Sequence, residues 1–164
     1  MKNFSIIDSR TGREYWISRS VSVVILATVS DEYVLAVQRG SGTPDPEYVG
    51  AWSLPCGYVD FDETTRETAA RELFEETGLD ILPERFEPIG IMDDPNKDKR
   101  QNICIRYKLD LSDYSVEELT EKLTSDNSEE NEVSDIRFIP IWQVPAYKWA
   151  FNHDKLIKNY VQHT

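Results

Sequence analysis

Cysteine and histidine are scarce in this chain: it has two of each, Cys56 with Cys104 and His153 with His163. Two thiols cannot build a disulfide framework, neither pair has the spacing of a zinc site, and so little cysteine reads as a reducing, cytoplasmic setting. Neither histidine has a metal-ligating neighbour, so both read as ordinary surface residues. Positive charge is thin as well: 18 Lys and Arg stand against 30 Asp and Glu, a formal charge of −12. That balance repels a nucleic-acid backbone and excludes a polymer-binding module, while small nucleotides met by metal or local cations remain open as ligands. Long apolar runs are missing too. The nearest approach, VSVVILATV at 21–29, is too short to span a bilayer. Arg10, Arg13 and Arg19 upstream imitate a leader, but Glu14 and the hairpin that follows favour a buried strand and no membrane association. There is no internal repeat.

What is present suits one domain over residues 1–164, since 164 residues at 40% hydrophobic can bury a proper core. Residues 21–29, the pair Ser30-Asp31, and residues 32–38 predict two strands joined by a tight turn, the first of them central. Residues 39–50 hold Gly40, Gly42, Pro44, Pro46 and Gly50, a loop composition that borders the site. Arg39 at its start and Trp52 just beyond it are candidate substrate contacts, with core packing as the competing role for Trp52. Residues 86–92 and 102–111 predict strands around a polar turn containing the basic cluster Lys97, Lys99 and Arg100, which is either solvated or in reach of substrate phosphate. Ser115 with Glu118 opens a short amphipathic helix through 125 that uses Val116, Leu119 and Leu123. A polar, mobile break at 126–131 precedes a strand reaching Ile141. A C-terminal helix, about 152–162, buries Leu156, Ile157, Tyr160 and Val161.

The densest chemistry lies at residues 57–79, GYVDFDETTRETAARELFEETGL, where seven of 23 residues are Asp or Glu. Thr64 with Glu67 predicts a capping box, and Gly78 followed by Leu79 predicts a left-handed C-cap, so the helix spans 65–77. Ala69, Ala70, Leu73 and Phe74 form its expected buried stripe, while Glu72, Glu75 and Glu76 share another face at i, i+3 and i+4. Like charges at that spacing cost roughly 0.2–0.5 kcal/mol per pair. A hard divalent ion reverses the sign, because Mg²⁺ takes carboxylate oxygens together with substrate phosphates. The competing reading is a solvated acidic face, with Arg71 pairing Glu67 and Glu75.

The spacing is Gly57, five residues, Glu63, seven residues, then Arg71-Glu72-Leu73-x-Glu75-Glu76-x-Gly78-Leu79. It resembles the Nudix box at every position, with weaker likeness from about residue 20 to 157. The resemblance implies an α+β Nudix fold, an α/β/α sandwich around a central mixed β-sheet. It also implies that Glu72, Glu75 and Glu76 ligate Mg²⁺ or Mn²⁺, joined by the main-chain carbonyl at Cys56, while Glu63 and Arg71, with Gly57 beside them, orient the ligands. An acid near 132 completes such sites or acts as base: Glu132 fits best by position, with Glu129 and Glu130 as competitors. Glu72, Glu76 and Glu132 are thus the catalytic candidates, the choice of base among the box glutamates and Glu132 being open. The implied activity is attack of water on phosphorus in a nucleoside diphosphate derivative: ADP-ribose, a sugar nucleotide, a dinucleotide or a modified nucleoside triphosphate. A homodimer is compatible with this reading. Two alternatives accompany it. Cys56 stands where isopentenyl-diphosphate isomerases place a catalytic Cys, although Tyr58 replaces their His; and some Nudix domains are non-catalytic nucleotide sensors, although the complete box argues against lost catalysis.

Overall fold

The computed structural model of the chain describes residues 4–95, 102–126 and 128–161. Lys97, Lys99, Arg100, His163 and the Val161 side chain lie outside the described residues. The N-terminal stretch, which offered only mixed polarity as sequence, forms a separate antiparallel pair, β1 (Phe4–Ile7) with β2 (Glu14–Ile17). The main sheet is organised on β3 (Val21–Val29), which turns at Ser30 and Asp31 into β4 (Tyr33–Arg39). Both turn residues have positive φ, 51° and 50°, and Glu32 N–H donates to the Val29 carbonyl at 3.0 Å. This left-handed turn closes the hairpin over three residues, Ser30 to Glu32, because Val29 pairs with Tyr33.

Five more strands complete a mixed seven-stranded sheet: β5 (Trp52–Ser53), β6 (Cys56–Tyr58), β7 (Glu87–Met92), β8 (Ile103–Asp110) and β9 (Val133–Pro140). The order is β5-β4-β3-β8-β7, with β6 also on β3 and β9 also on β4. β3 runs parallel to β8 and antiparallel to its other partners, which makes it central as expected.

Period-two alternation along β3 divides the core into two layers. Val23, Ile25, Ala27 and Val29 face Ala69 and Leu73 of α1 (Thr65–Thr77) and Leu119 of α2 (Val116–Thr120). Val24 and Leu26 face Trp52, Leu54, Val144 and Ile157, the last on α3 (His153–Val161). Helices therefore cover both faces, the sandwich that the Nudix resemblance implies.

α1 has the expected ends. Thr64 and Glu67 form the reciprocal capping box, and Gly78 closes the helix at φ 78°. Its inward face differs from the expected stripe. Phe74 is 40% exposed, whereas Thr68, Glu76 and Thr77 are buried with Ala69 and Leu73. At 100° per residue, Ala69, Leu73 and Glu76 fall within roughly 60° of one another while Phe74 lies about 140° from Ala69. Packing of Ala69 and Leu73 thus carries a carboxylate inward and turns the phenyl ring out.

α2 is shorter than the residues 115–125 expected of it. The Ser115/Glu118 capping box is present, but i→i+3 bonds from Lys122 N–H to Leu119 and from Leu123 N–H to Thr120 close it early. The break before β9, expected to be mobile, is tied at its end. Gly40 N–H donates to the Glu132 carbonyl at 2.6 Å and Gly42 N–H to the Asn131 carbonyl at 2.8 Å. A Cβ on either glycine would collide with that backbone, so the two glycines are what let the loops dock.

At Gly78 a Cβ would meet Thr124 Cγ2 at 2.6 Å in a backbone conformation that L side chains rarely adopt. Gly78→Ala is therefore expected to lower the unfolding free energy by about 1–3 kcal/mol with an unchanged m value in urea. A loss below about 0.5 kcal/mol would show that this turn does not need glycine.

Candidate active site

Arg71 is the hub of the acidic helix. Its Nε and Nη2 donate to Glu63 at 3.2 and 2.9 Å, and Nη1 donates to Glu72 at 2.8 Å and to Glu75 at 3.0 Å. Nη2 also reaches the Tyr58 carbonyl at 3.0 Å. Glu63 accepts the Asp60 N–H and the Thr68 hydroxyl as well, each at 2.7 Å. The guanidinium, followed by these donors, holds its carboxyl at a pKa of about 2 against its own burial. Glu67 is the N-cap partner of Thr64, and Glu63 and Glu72 stand with Glu75 where Glu67 was expected beside Arg71.

Glu76 lies deeper. It is 2% exposed, and its Oε2 accepts the Cys56 N–H at 3.1 Å. Burial first, then repulsion from Glu72 and Glu132, push its pKa up. Glu72 is pushed up to about 7, chiefly by burial and further by Glu75 and Glu132, with Arg71 opposing. Glu132, just before β9, is raised by burial while Arg39 opposes. The fold thus brings Glu72, Glu76 and Glu132 into mutual electrostatic reach, Glu75 adjoining through Arg71. Gly57 is required by the same geometry, because a Cβ there would fall on the Glu72 carboxylate.

Cys56 contributes main chain more readily than thiol. Ile25 N–H bonds the Pro55 carbonyl and Val59 N–H bonds the Val21 carbonyl, so alternation in the β3/β6 ladder turns the Cys56 amide away from β3. Its carbonyl therefore lies on the Glu76 side. Burial first, then Glu76, push its thiol pKa well up, so it stays protonated.

Carboxylate and carbonyl oxygens fit a hard divalent ion, and the raised pKa values mark negative charge short of a counterion. Among the described residues no group of three or more His, Cys, Asp or Glu is already gathered for a cation. Glu72 and Glu75 are both held by Arg71.

Beside this cluster opens a cleft of about 460 Å³ whose walls include Arg39, Tyr48, Arg106, Glu132, Phe151 and His153. A bulge between Gln38 and Arg39 shifts the β4/β9 register at the point where Arg39 enters the wall, a common device for re-aiming a side chain. Its Nη2 donates to the Thr43 hydroxyl, and its guanidinium lies 5.2 Å over Phe151.

Trp52 is not a cleft residue. It is 4% exposed, its ring meets Tyr147 edge-on at 5.8 Å with Arg137 5.4 Å over it, and its main chain bonds Lys148 and Ala150. Packing, the competing role, is the one the structure gives it.

His153 is likewise not a surface residue. It is 6% exposed, its Nδ1 accepts the Leu54 N–H at 3.0 Å, and burial, then Arg106 and Arg39, lower its pKa to about 3. Its partner is 99 residues away, so no local pattern could reveal it. Arg106 also went unmarked, although an arginine between Ile105 and Tyr107 of β8 was a legible signal.

Comparison with known proteins agrees with this geometry. Residues 17–160 match the NUDIX domain model. An ADP-ribose pyrophosphatase of Methanocaldococcus jannaschii is 28% identical over 159 residues, 96% of this chain and 83% of that protein. Among solved structures, the NUDIX domain of Shewanella oneidensis NrtR complexed with ADP ribose superposes with a TM-score of 0.68 at 23% identity, covering 95% of this chain and 92% of that one. A bifunctional NMN adenylyltransferase/ADP ribose pyrophosphatase from Francisella tularensis, complexed with AMP and a Mn ion, has the same score at 21% identity, over 89% of this chain and 42% of that one. A family match across most of the chain, over a fold that seats the acidic box beside an open cleft, establishes that this chain belongs to the NUDIX family of hydrolases.

Proposed function

We propose that the chain, a single domain over residues 1–164, hydrolyses the diphosphate linkage of a nucleoside diphosphate derivative, with ADP-ribose as the first candidate. Mg²⁺ or Mn²⁺ would be held by Glu72, Glu75, Glu76 and the Cys56 carbonyl, with Glu132 completing the set. The observation that carries this is the mutual electrostatic reach of Glu72, Glu76 and Glu132, each with its pKa raised, behind the cleft-lining Cys56 and Gly57. ADP-ribose is favoured by the name of the Methanocaldococcus relative and by the ligand of the Shewanella NUDIX domain. Cys56 and Cys104, not joined in a disulfide among the described residues, suit a cytoplasmic setting.

When bound, the cation would supply charge neutralisation for the diphosphate and for the departing phosphate oxygen. The chain does the rest. Water attacks phosphorus in line, and the bond to the bridging oxygen breaks, that oxygen leaving with the electron pair. Glu76 or Glu132 takes the water proton onto its carboxylate. Arg71, locked by Glu63 and Tyr58, restricts how far Glu72 and Glu75 can turn. Arg39 binds the substrate from the cleft wall. The Cys56 isomerase alternative gains nothing from a half-buried, protonated thiol on a residue whose main-chain N–H is already used by Glu76.

Glu76→Gln preserves size and the acceptor for Cys56 N–H, so turnover of ADP-ribose in excess Mg²⁺ should fall at least about a hundredfold with an unchanged circular dichroism spectrum. Unchanged turnover would remove Glu76 from the chemistry.

Glu72 also carries a pH signature. Its folded-state pKa of about 7 exceeds its ordinary 4.5, so the group favours folding below about pH 4.5 and loses that benefit as pH rises through about 7. Between these values the metal-free folded protein retains a proton that the unfolded chain releases. The melting temperature of the metal-free protein should therefore decline more steeply from pH 5 to 8 than that of Glu72→Gln, by roughly 5 °C over the interval. Parallel slopes would show that this carboxyl ionises normally.

A further inference from the structure

Three side chains in the cleft wall carry donors that the fold does not use. The half-buried Arg106 has no hydrogen bond or ion pair among the described residues. Arg39, 6% exposed, engages Thr43 through Nη2 and keeps a buried Nε with no partner. His153 accepts the Leu54 N–H at Nδ1, which in a neutral imidazole assigns the proton to Nε2. No acceptor for that proton is found among the described residues.

The turn that presents His153 is conformationally costly. Phe151 and Asn152 have φ of 56° and 58°, and His153 N–H closes the turn on the Ala150 carbonyl at 3.0 Å. A phenylalanine at positive φ persists only where its surroundings over-determine it. Here Ala150 N–H is anchored on the Trp52 carbonyl at 2.8 Å and the Phe151 ring is pinned between Tyr48 and Arg39. The strained turn sets an imidazole into the same wall as the two guanidiniums.

Sequestering the Arg106 guanidinium without a paired carboxylate is unfavourable, and a chain with 30 Asp and Glu does not lack acids to pair it. Two permanent cations and a fixed N–H donor match a phosphate group, whereas an uncharged base would answer neither cation. We infer that Arg106 and the Nε2–H of His153, together with Arg39, seat the substrate phosphate that is not held at the carboxylate cluster. This inference rests on the diphosphate reading of the site and assigns Arg106 and His153 to recognition of the anion.

The test uses protein stripped of divalent ions with EDTA, so that binding does not run through the carboxylates, and titrates AMP and adenosine by calorimetry. AMP should bind, with adenosine at least about tenfold weaker, and Arg106→Gln and His153→Gln should each weaken AMP about tenfold or more while leaving adenosine unchanged. Because His153→Gln could disturb folding, ¹⁵N-histidine NMR on the unaltered protein gives a second readout: the Nε2 resonance should shift with AMP and not with adenosine. Wild-type AMP affinity in both variants, equal loss of AMP and adenosine, no AMP binding by the wild type, or a stationary Nε2 resonance at AMP saturation would each overturn the inference. Failure of the underlying activity looks different: AMP would bind as described, yet no nucleoside diphosphate would be cleaved with Mg²⁺ or Mn²⁺.

Discussion

One guanidinium shared among several carboxylates is the constraint on which the site depends. Arg71 contacts Glu63, Glu72 and Glu75 within 3.2 Å and approaches Asp60 at 3.8 Å. A single positive charge cannot neutralise that company, and the shortfall is visible deeper in, where Glu76 and Glu132 have no cation at hydrogen-bond distance among the described residues and are raised in pKa. Neutral hydrogen-bond donors take up part of the strain: the Cys56 N–H on Glu76, the Thr68 hydroxyl and Asp60 N–H on Glu63. What remains is a partly dehydrated concentration of negative charge, an arrangement that a divalent ion stabilises and that water does not.

The backbone is arranged to tolerate this concentration. The capping box fixes where α1 begins, and packing of Ala69 and Leu73 against β3 fixes its rotation, so Glu76 has no freedom to swing toward solvent. β6 contributes an amide turned off its ladder, and Gly57 leaves space for Glu72 that any side chain would fill. In the cleft wall, charge of the other sign is gathered by different means: a bulge at Arg39, an arginine within β8, and a left-handed turn ahead of α3. Glu132 and these nitrogen donors line one space of nucleotide size.

Much of this was legible before any coordinates. The box spacing pointed to the family, the capping signals placed both ends of α1, and the run at 21–29 with its Ser30-Asp31 turn marked the central strand and its hairpin. Less was legible where side chains have a double aspect. Trp52 was a reasonable stacking candidate and proved a core residue, while Phe74 was a reasonable core residue and proved exposed. In both cases residue type allowed two environments, and the deciding partners, such as Tyr147 for Trp52, are distant in the chain.

The sequence by itself determined those features whose physics is local: caps, turns, strand alternation and the accumulation of carboxylates on one stretch of helix, each set by residues within a few positions of one another. Only the tertiary structure decided which polar groups were buried and which donors were left unused. Glu76 meets Cys56 across 20 residues and His153 meets Leu54 across 99, and neither spacing belongs to any helical or strand period. Burial is a collective property of the packed layers, so the pKa of Glu76, the tautomer of His153 and the unpaired state of Arg106 come into being only when β3, β6, β8 and α3 are assembled around one cleft.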